Sequence, residues 1–116
     1  MAKENIKVMY DKEEDILSLF REGNKVKFSF DLSLPNGDIV IDYGFDSMIV
    51  GIEFFNASSY FPMLKNISSL EEVKASMSVQ YGANWAQISY AIHFPNAQPI
   101  VSFINAPYNK KIILEH

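Results

Sequence analysis

Three acidic residues near one predicted β-hairpin have side chains that could bind a hard metal ion. Asp42, Asp46 and Glu53 offer carboxylate oxygens, the ligands that suit magnesium or calcium. The predicted hairpin puts Asp46 in its turn and Glu53 well along the returning strand. At about 3.4 Å per residue, these two carboxylates are too far apart to share one ion. We therefore expect no metal and no cofactor, with a solvated strand face and an aspartate that caps its own turn.

His93 is the histidine whose surroundings could support acid–base catalysis. It shares a predicted strand face with Gln87 and Ser89, and Trp85 begins the same strand. Catalysis there would need a nucleophile and an acid that orients the imidazole. No carboxylate follows Glu72 before the last residues of the chain, so an acidic partner must come from the first half. We therefore expect no catalytic residue and a histidine on a surface or interface.

The segment between Lys74 and Lys110 contains no Asp, Glu, Lys or Arg. Its polar residues are Ser, Gln, Asn and His, interleaved with aromatic residues. Exposed sheet faces and edges usually carry charges, which also prevent edge-to-edge pairing, whereas interface cores are depleted in charge and rich in aromatic residues. The alternatives are a face covered within the monomer, a pocket wall and an ordinary Ser- and Asn-rich surface. The predicted interface or ligand face comprises Trp85, Gln87, Ser89 and His93.

Length and composition restrict the class of protein. The 116 residues fit one domain over residues 1–113, and Leu114–His116 resembles the remnant of an expression tag. The absence of cysteine excludes disulfides and thiolate metal sites. A net charge of −4, from ten basic and fourteen acidic residues, argues against binding to nucleic acids or anionic membranes. Without an apolar run of about 18 residues or a leader peptide, we expect a cytoplasmic protein.

Period-two alternation in the first half predicts five antiparallel strands in a meander, over residues 6–10, 16–21, 26–34, 38–43 and 48–56. The last two form a hairpin around Gly44–Ser47, with Ile41 opposite Val50 and Val40 opposite Gly51. A glycine inside a regular strand usually marks a bulge or a close approach. We therefore predict that another element passes over Gly51.

One short helix and a second set of strands are predicted to follow. Ser58 and Ser59 can cap a helix near residues 60–66, where Pro62 falls in the first turn. Alternation then predicts strands over 73–81, 85–94 and 99–105, and residues 110–114 could add a fourth at an edge. The predicted fold class is α+β, mainly antiparallel β, with both halves sharing one core.

A set of residues spread over Ile6–Tyr60 also has the order and spacing of a known family. These residues are Tyr10, Asp11, Asp15, Leu17, Asp42, Tyr43, Val50, Gly51, Ile52, Glu53, Ala57 and Ser58. With them the first half resembles the Domain of Unknown Function 2283 family of small prokaryotic proteins, although Gly44 and Phe45 replace the family's acidic turn. The resemblance implies a β-meander packed on a following helix, with residues 61–113 as a helix plus β extension. It implies no established catalytic residue. Some members are encoded beside small toxins, which implies an antitoxin-like or regulatory role.

Two functions from different classes fit these observations. The first is a non-enzymatic binding or regulatory module that acts as a homodimer, or with a protein partner, through the uncharged segment. The alternative is a small-ligand-binding domain or enzyme with an uncharged polar pocket around His93. Nucleic-acid binding ranks below both, because the chain is acidic and has Arg21 as its single arginine.

Overall fold

Short strands in two antiparallel sheets make up most of the computed structural model, which describes residues 6–109 and 111. The mainly antiparallel β class is confirmed. The predicted strand over 110–114 and the tag-like residues 114–116 lie outside the described residues, apart from Lys111. The elements are β1 (Ile6–Asp11), β2 (Ile16–Arg21), β3 (Val26–Leu32), β4 (Ile39–Gly44), β5 (Ile49–Phe55), α1 (Ala57–Tyr60), 3-10 turns at Pro62–Lys65 and Leu70–Glu72, β6 (Lys74–Tyr81), β7 (Trp85–His93) and β8 (Ile100–Pro107).

The first sheet is not a simple meander, because its strands lie in the order β1-β2-β5-β4-β3. The predicted sequential order is therefore wrong. Leu17 and Leu19 of β2 are completely buried, and β2 pairs with β1 along one edge and with β5 along the other. β3 carries Lys27 and Asp31 and lies at the edge, where charges hinder pairing with other chains.

The register of the β4–β5 hairpin differs from the predicted one by two residues. Ile41 lies opposite Ile52 rather than Val50, so the predicted faces of the hairpin are retained while the cross-strand partners change. At the turn itself the shift is one residue, since the Gly44 N–H donates to the Met48 carbonyl at 2.8 Å and only residues 45–47 lie between them. A bulge then puts Ile49 opposite Tyr43. Ile49 consequently joins the hydrophobic core, whereas strict alternation along β5 would put it on the outer face with Gly51.

The helix begins and ends earlier than predicted. α1 spans one turn from Ala57 to Tyr60, and Pro62 opens a separate 3-10 turn. Proline lacks an N–H and restricts the residue before it, so a continuous helix over 60–66 is unfavourable. The start of α1 is set by the Ala57 N–H, which donates to the Asp15 carbonyl at 2.9 Å. None of the described helices is long and apolar enough to cross a membrane.

The second sheet, in the order β6-β7-β8, packs against the first through one continuous cluster of buried side chains. The Phe54 ring of β5 meets the Tyr90 ring of β7 edge-on, with centroids 5.4 Å apart. The Ile49 N–H donates to the Tyr81 hydroxyl at 2.9 Å, and the Tyr43 hydroxyl donates to the Pro107 carbonyl. Both sheets therefore contribute to a shared core, as the patterning predicts.

Candidate functional site

The outer face of the second sheet is uncharged apart from one corner. Alternation along the strands sends every second side chain of β6, β7 and β8 into the core and the others outward. Of the described residues, Lys74 alone brings a formal charge to this outer face. The face comprises Lys74, Ser76, Ser78, Gln80, Trp85, Gln87, Ser89, Ala91, His93, Val101, Phe103, Asn105 and Pro107.

Apolar surface is concentrated on the β8 side of this face. Val101 is 74% exposed and Phe103 is 57% exposed, and their cross-strand neighbours on β7 are Ala91 and Ser89. Trp85, at one end of β7, is 48% exposed. The described part of the chain therefore leaves this face open, and the interpretation that the face is covered within the monomer is not what the structure shows.

Trp85 is held flat against the turn between β6 and β7. Its indole ring lies so close to Gly82 that any Cβ at that position would collide with the ring. The Gly82 N–H also donates to the Trp85 carbonyl at 2.8 Å. Gly82 is thus required for a close approach, and the ring is positioned at the corner of the face.

The four residues of the predicted face are all on the outward side of β7. Gln87 donates from its amide to Asn105 Oδ1 at 3.5 Å, and His93 is exposed opposite Lys74. Among the described side chains, no hydrogen bond joins His93 to a carboxylate. The surface around His93 is part of an open sheet, so the alternative of a ligand pocket there gains no support from the geometry.

Val101 and Phe103 belong to the face but were absent from the predicted set. The signal was available, because these residues alternate with Ile100, Ser102 and Ile104 in the last strand. Both residues lie in the uncharged segment through which association is predicted, but the four residues predicted for the face are all on β7. The most exposed apolar side chains of the sheet lie on β8.

The acidic residues of the first sheet form a pair that the sequence did not predict. Asp42 is buried and accepts a hydrogen bond from the Ser29 hydroxyl at 2.6 Å. Burial and a hydrogen bond with Asp42 raise the pKa of Glu53 to about 7. In the predicted register Glu53 lay opposite Asp38, which hid this contact. Asp46 instead accepts a bond from the Met48 N–H at 3.0 Å and caps its own turn, as expected.

A second polar cluster joins the first loop of the chain to α1. Asp15 accepts hydrogen bonds from the Tyr10 hydroxyl at 2.6 Å and from the Ser58 hydroxyl at 2.7 Å. Burial alone would raise the pKa of Asp15, but these bonds and the charge of Lys65 outweigh it and lower that pKa. Burial and the bond to Asp15 raise the pKa of Tyr10 to about 12. This cluster fixes the position of α1 on the first sheet.

No three side chains of His, Asp or Glu in the described part of the chain come together as a metal site would require. The residues that resemble the known family instead have structural surroundings in the first sheet. Leu17, Ile52 and Ala57 are completely buried, Tyr10 and Ser58 donate to Asp15, and Glu53 hydrogen-bonds to Asp42.

Comparison with known proteins agrees with this division of the chain. Residues 7–58 match the family described as "Protein of unknown function (DUF2283)". The chain is also 40% identical over 73 residues to an uncharacterized protein of Methanocaldococcus jannaschii, and this match covers 59% of the chain and 60% of that relative. No solved structure gives a significant match. Residues 7–58 contain the start of α1 and the whole of the first sheet except its first residue. These residues, which match the family, are therefore a DUF2283 domain.

Proposed function

We propose that the protein is a small cytoplasmic, non-enzymatic binding module that acts as a homo-oligomer through its second sheet. The observation that carries this proposal is the outer face of β6, β7 and β8. It is open to solvent, and Lys74 at one corner is its only formal charge. Exposed faces of this kind are rare in monomeric proteins unless they bind something.

The composition of the face favours a second copy as the partner. Two identical surfaces that carry charges would bring like charges together, and burying an unpaired charge is costly. Ser, Gln and Asn side chains can instead hydrogen-bond to their own kind, as Gln87 and Asn105 do within the sheet. Burial of apolar area at Val101 and Phe103 on β8 would contribute roughly 25 cal/mol per Å².

The location of the face relative to the DUF2283 domain supports the same proposal. The residues that resemble the family pack the first sheet and anchor α1, whereas the second sheet begins after that domain ends. The first sheet then acts as a scaffold, and the second sheet supplies the surface for association. The regulatory, antitoxin-like role that the family resemblance implies is compatible with such an oligomer.

Measurement of the solution mass tests the proposal directly. Light scattering and sedimentation over roughly 1–100 μM protein should show a monomer–dimer equilibrium, because an interface of modest size binds in this range. The expected result is a mass that rises to twice that of the chain. A mass equal to one chain at every concentration would overturn the proposal.

A further inference from the structure

The hydrogen-bond pattern identifies which backbone groups β8 presents at its free edge. The Tyr108 N–H donates to the Asn84 carbonyl at 3.3 Å, so this pair is a hydrogen-bonded pair of the β7–β8 ladder. In an antiparallel ladder, hydrogen-bonded and non-hydrogen-bonded pairs alternate. The even-numbered residues of β8 therefore bond to β7. The N–H and C=O groups of Val101, Phe103 and Asn105 point away from β7 to the free edge, here called outward, where no described strand pairs with them.

Features that prevent edge pairing are present at the other sheet edges and absent from β8. β3 has Lys27, Asp31 and a register shift, and β1 has Lys7. β6 begins at Lys74 and contacts β1. β8 contains no charged residue and no internal proline. Val101 and Phe103, whose backbone groups face its free edge, also have exposed apolar side chains. Such an edge is a template for pairing with another strand.

The sequence around β8 is symmetric in the way that pairing with a second copy requires. Pro99 and Pro107 lie at equal distances before and after Phe103. Proline has no N–H to donate to a ladder. The outward N–H groups around Phe103 are therefore limited by Pro99 on one side and by Pro107 on the other. The Pro107 carbonyl is also already occupied, since it accepts a bond from the Tyr43 hydroxyl.

We infer that two copies pair β8 with β8, antiparallel about a twofold axis at Phe103. Val101 then lies opposite the second copy's Asn105, and the two Phe103 residues lie opposite each other. Each of these pairs exchanges two backbone hydrogen bonds, which uses every outward group from Val101 to Asn105. The two uncharged outer faces become one continuous face. This inference rests on the proposed self-association and specifies the edge through which it occurs.

Two pairs of variants of the full-length chain test the edge. Asn105→Pro removes an outward N–H without changing charge, and an edge strand tolerates proline at such a position. Its matched control is Asn105→Ala, which removes the side chain and keeps the N–H. Phe103→Lys brings one positive charge from each copy together at the twofold axis. Its control, Gln87→Lys, puts the same charge on the same face of the sheet, but on β7, one strand away from the edge.

Sedimentation should separate the test variants from their controls. We expect Asn105→Pro and Phe103→Lys to weaken dimerisation by at least about 30-fold, and the two controls to change it by less than about 3-fold. Circular dichroism shows whether each variant is folded, and Phe103→Lys keeps the test valid if Asn105→Pro does not fold. A dimer that survives Phe103→Lys but dissociates with Gln87→Lys would overturn the edge and leave the proposed function standing. A wild-type monomer would remove both.

Discussion

Gly51 shows how a single residue determines packing in the first sheet. A Cβ at this position would lie 2.8 Å from Cδ2 of the Phe20 ring and 3.0 Å from the Leu19 carbonyl oxygen. The expected close approach therefore exists, but it is made by the neighbouring strand β2 and not by another element that crosses the sheet. The absence of a side chain also leaves room for the buried Asp42 carboxylate, 3.3 Å from the same point.

Substitution of Gly51 should overpack this site. We expect Gly51→Val to lower the free energy of unfolding by about 1–3 kcal/mol, because the ring and the backbone must shift. Urea denaturation of the wild type and the variant measures the change. Phe20→Ala in the Gly51→Val background should recover part of the loss, since it removes one of the two obstacles. Equal stability of wild type and Gly51→Val would show that the packing around Gly51 is looser than described.

The Asp42–Glu53 pair should make stability depend on pH. The pKa of Glu53 is raised from 4.5 to about 7, so the folded chain holds this proton more tightly than the unfolded chain does. The resulting stability is fully present below pH 4.5 and is lost as pH rises through about 7. Because Glu53 is partly exposed, we expect a loss of about 1–2 kcal/mol.

The comparison of Glu53→Gln with the wild type isolates this contribution. Glutamine cannot ionise, so the decrease in unfolding free energy between pH 4.5 and 7 should become smaller in this variant. Glu13→Gln, at an exposed loop position, is the control and should retain the wild-type profile. If wild type and Glu53→Gln change in parallel with pH, the carboxyl pair does not contribute as described.

At the scale of elements, the hydrogen bonds of Asp15 connect the β1–β2 loop to α1. α1 has a single turn and no side-chain cap from Asn56, so it depends on contacts from outside the helix. Asp15 supplies them through Ser58 and through its own carbonyl, with φ at 57°. Asparagine tolerates the same backbone conformation but is neutral.

Asp15→Asn should therefore weaken the bonds without straining the loop. We expect a decrease of about 1–2 kcal/mol in unfolding free energy, because hydrogen bonds to a charged acceptor are replaced by neutral ones. Chemical denaturation gives the value, and Glu14→Gln in the same loop is the control. An effect no larger than that of the control would mean that α1 is held mainly by its buried Ala57 and by Leu64 of the following 3-10 turn.

The elements themselves could be predicted from the sequence, but their arrangement could not. Period-two alternation locates every described strand because it depends on each segment alone. The order of the first sheet depends on pairing between strands that are distant in sequence, such as β2 with β5, and Leu17 and Leu19 do not reveal this locally. The Asp42–Glu53 contact could not be predicted for a related reason. A two-residue shift in the register of β4 and β5 leaves the side chains on their predicted faces but changes which residues lie opposite each other. On β7, alternation alone was sufficient to predict that Trp85, Gln87, Ser89 and His93 lie on one face of the strand.

At the scale of the whole molecule, the charged residues and the proposed association surface lie on different sheets. The first sheet contains the acidic pair and the charged edge strands, and it corresponds to the DUF2283 domain. The outer face of the second sheet carries Lys74 as the single formal charge among the described residues, and its β8 edge carries no charge. A shared core joins the two, so the first sheet holds the proposed association surface in a fixed position.

Amide hydrogen exchange at β8, measured as a function of protein concentration, tests the central claim most directly. The N–H groups of Val101, Phe103 and Asn105 point away from β7, whereas those of Ser102 and Ile104 bond to it. Self-association through this edge predicts that the three outward amides exchange rapidly in dilute solution and become protected as the dimer forms. The two inward amides should be protected throughout. Rapid exchange of the outward amides at every concentration, in a sample whose mass stays that of one chain, would contradict the account.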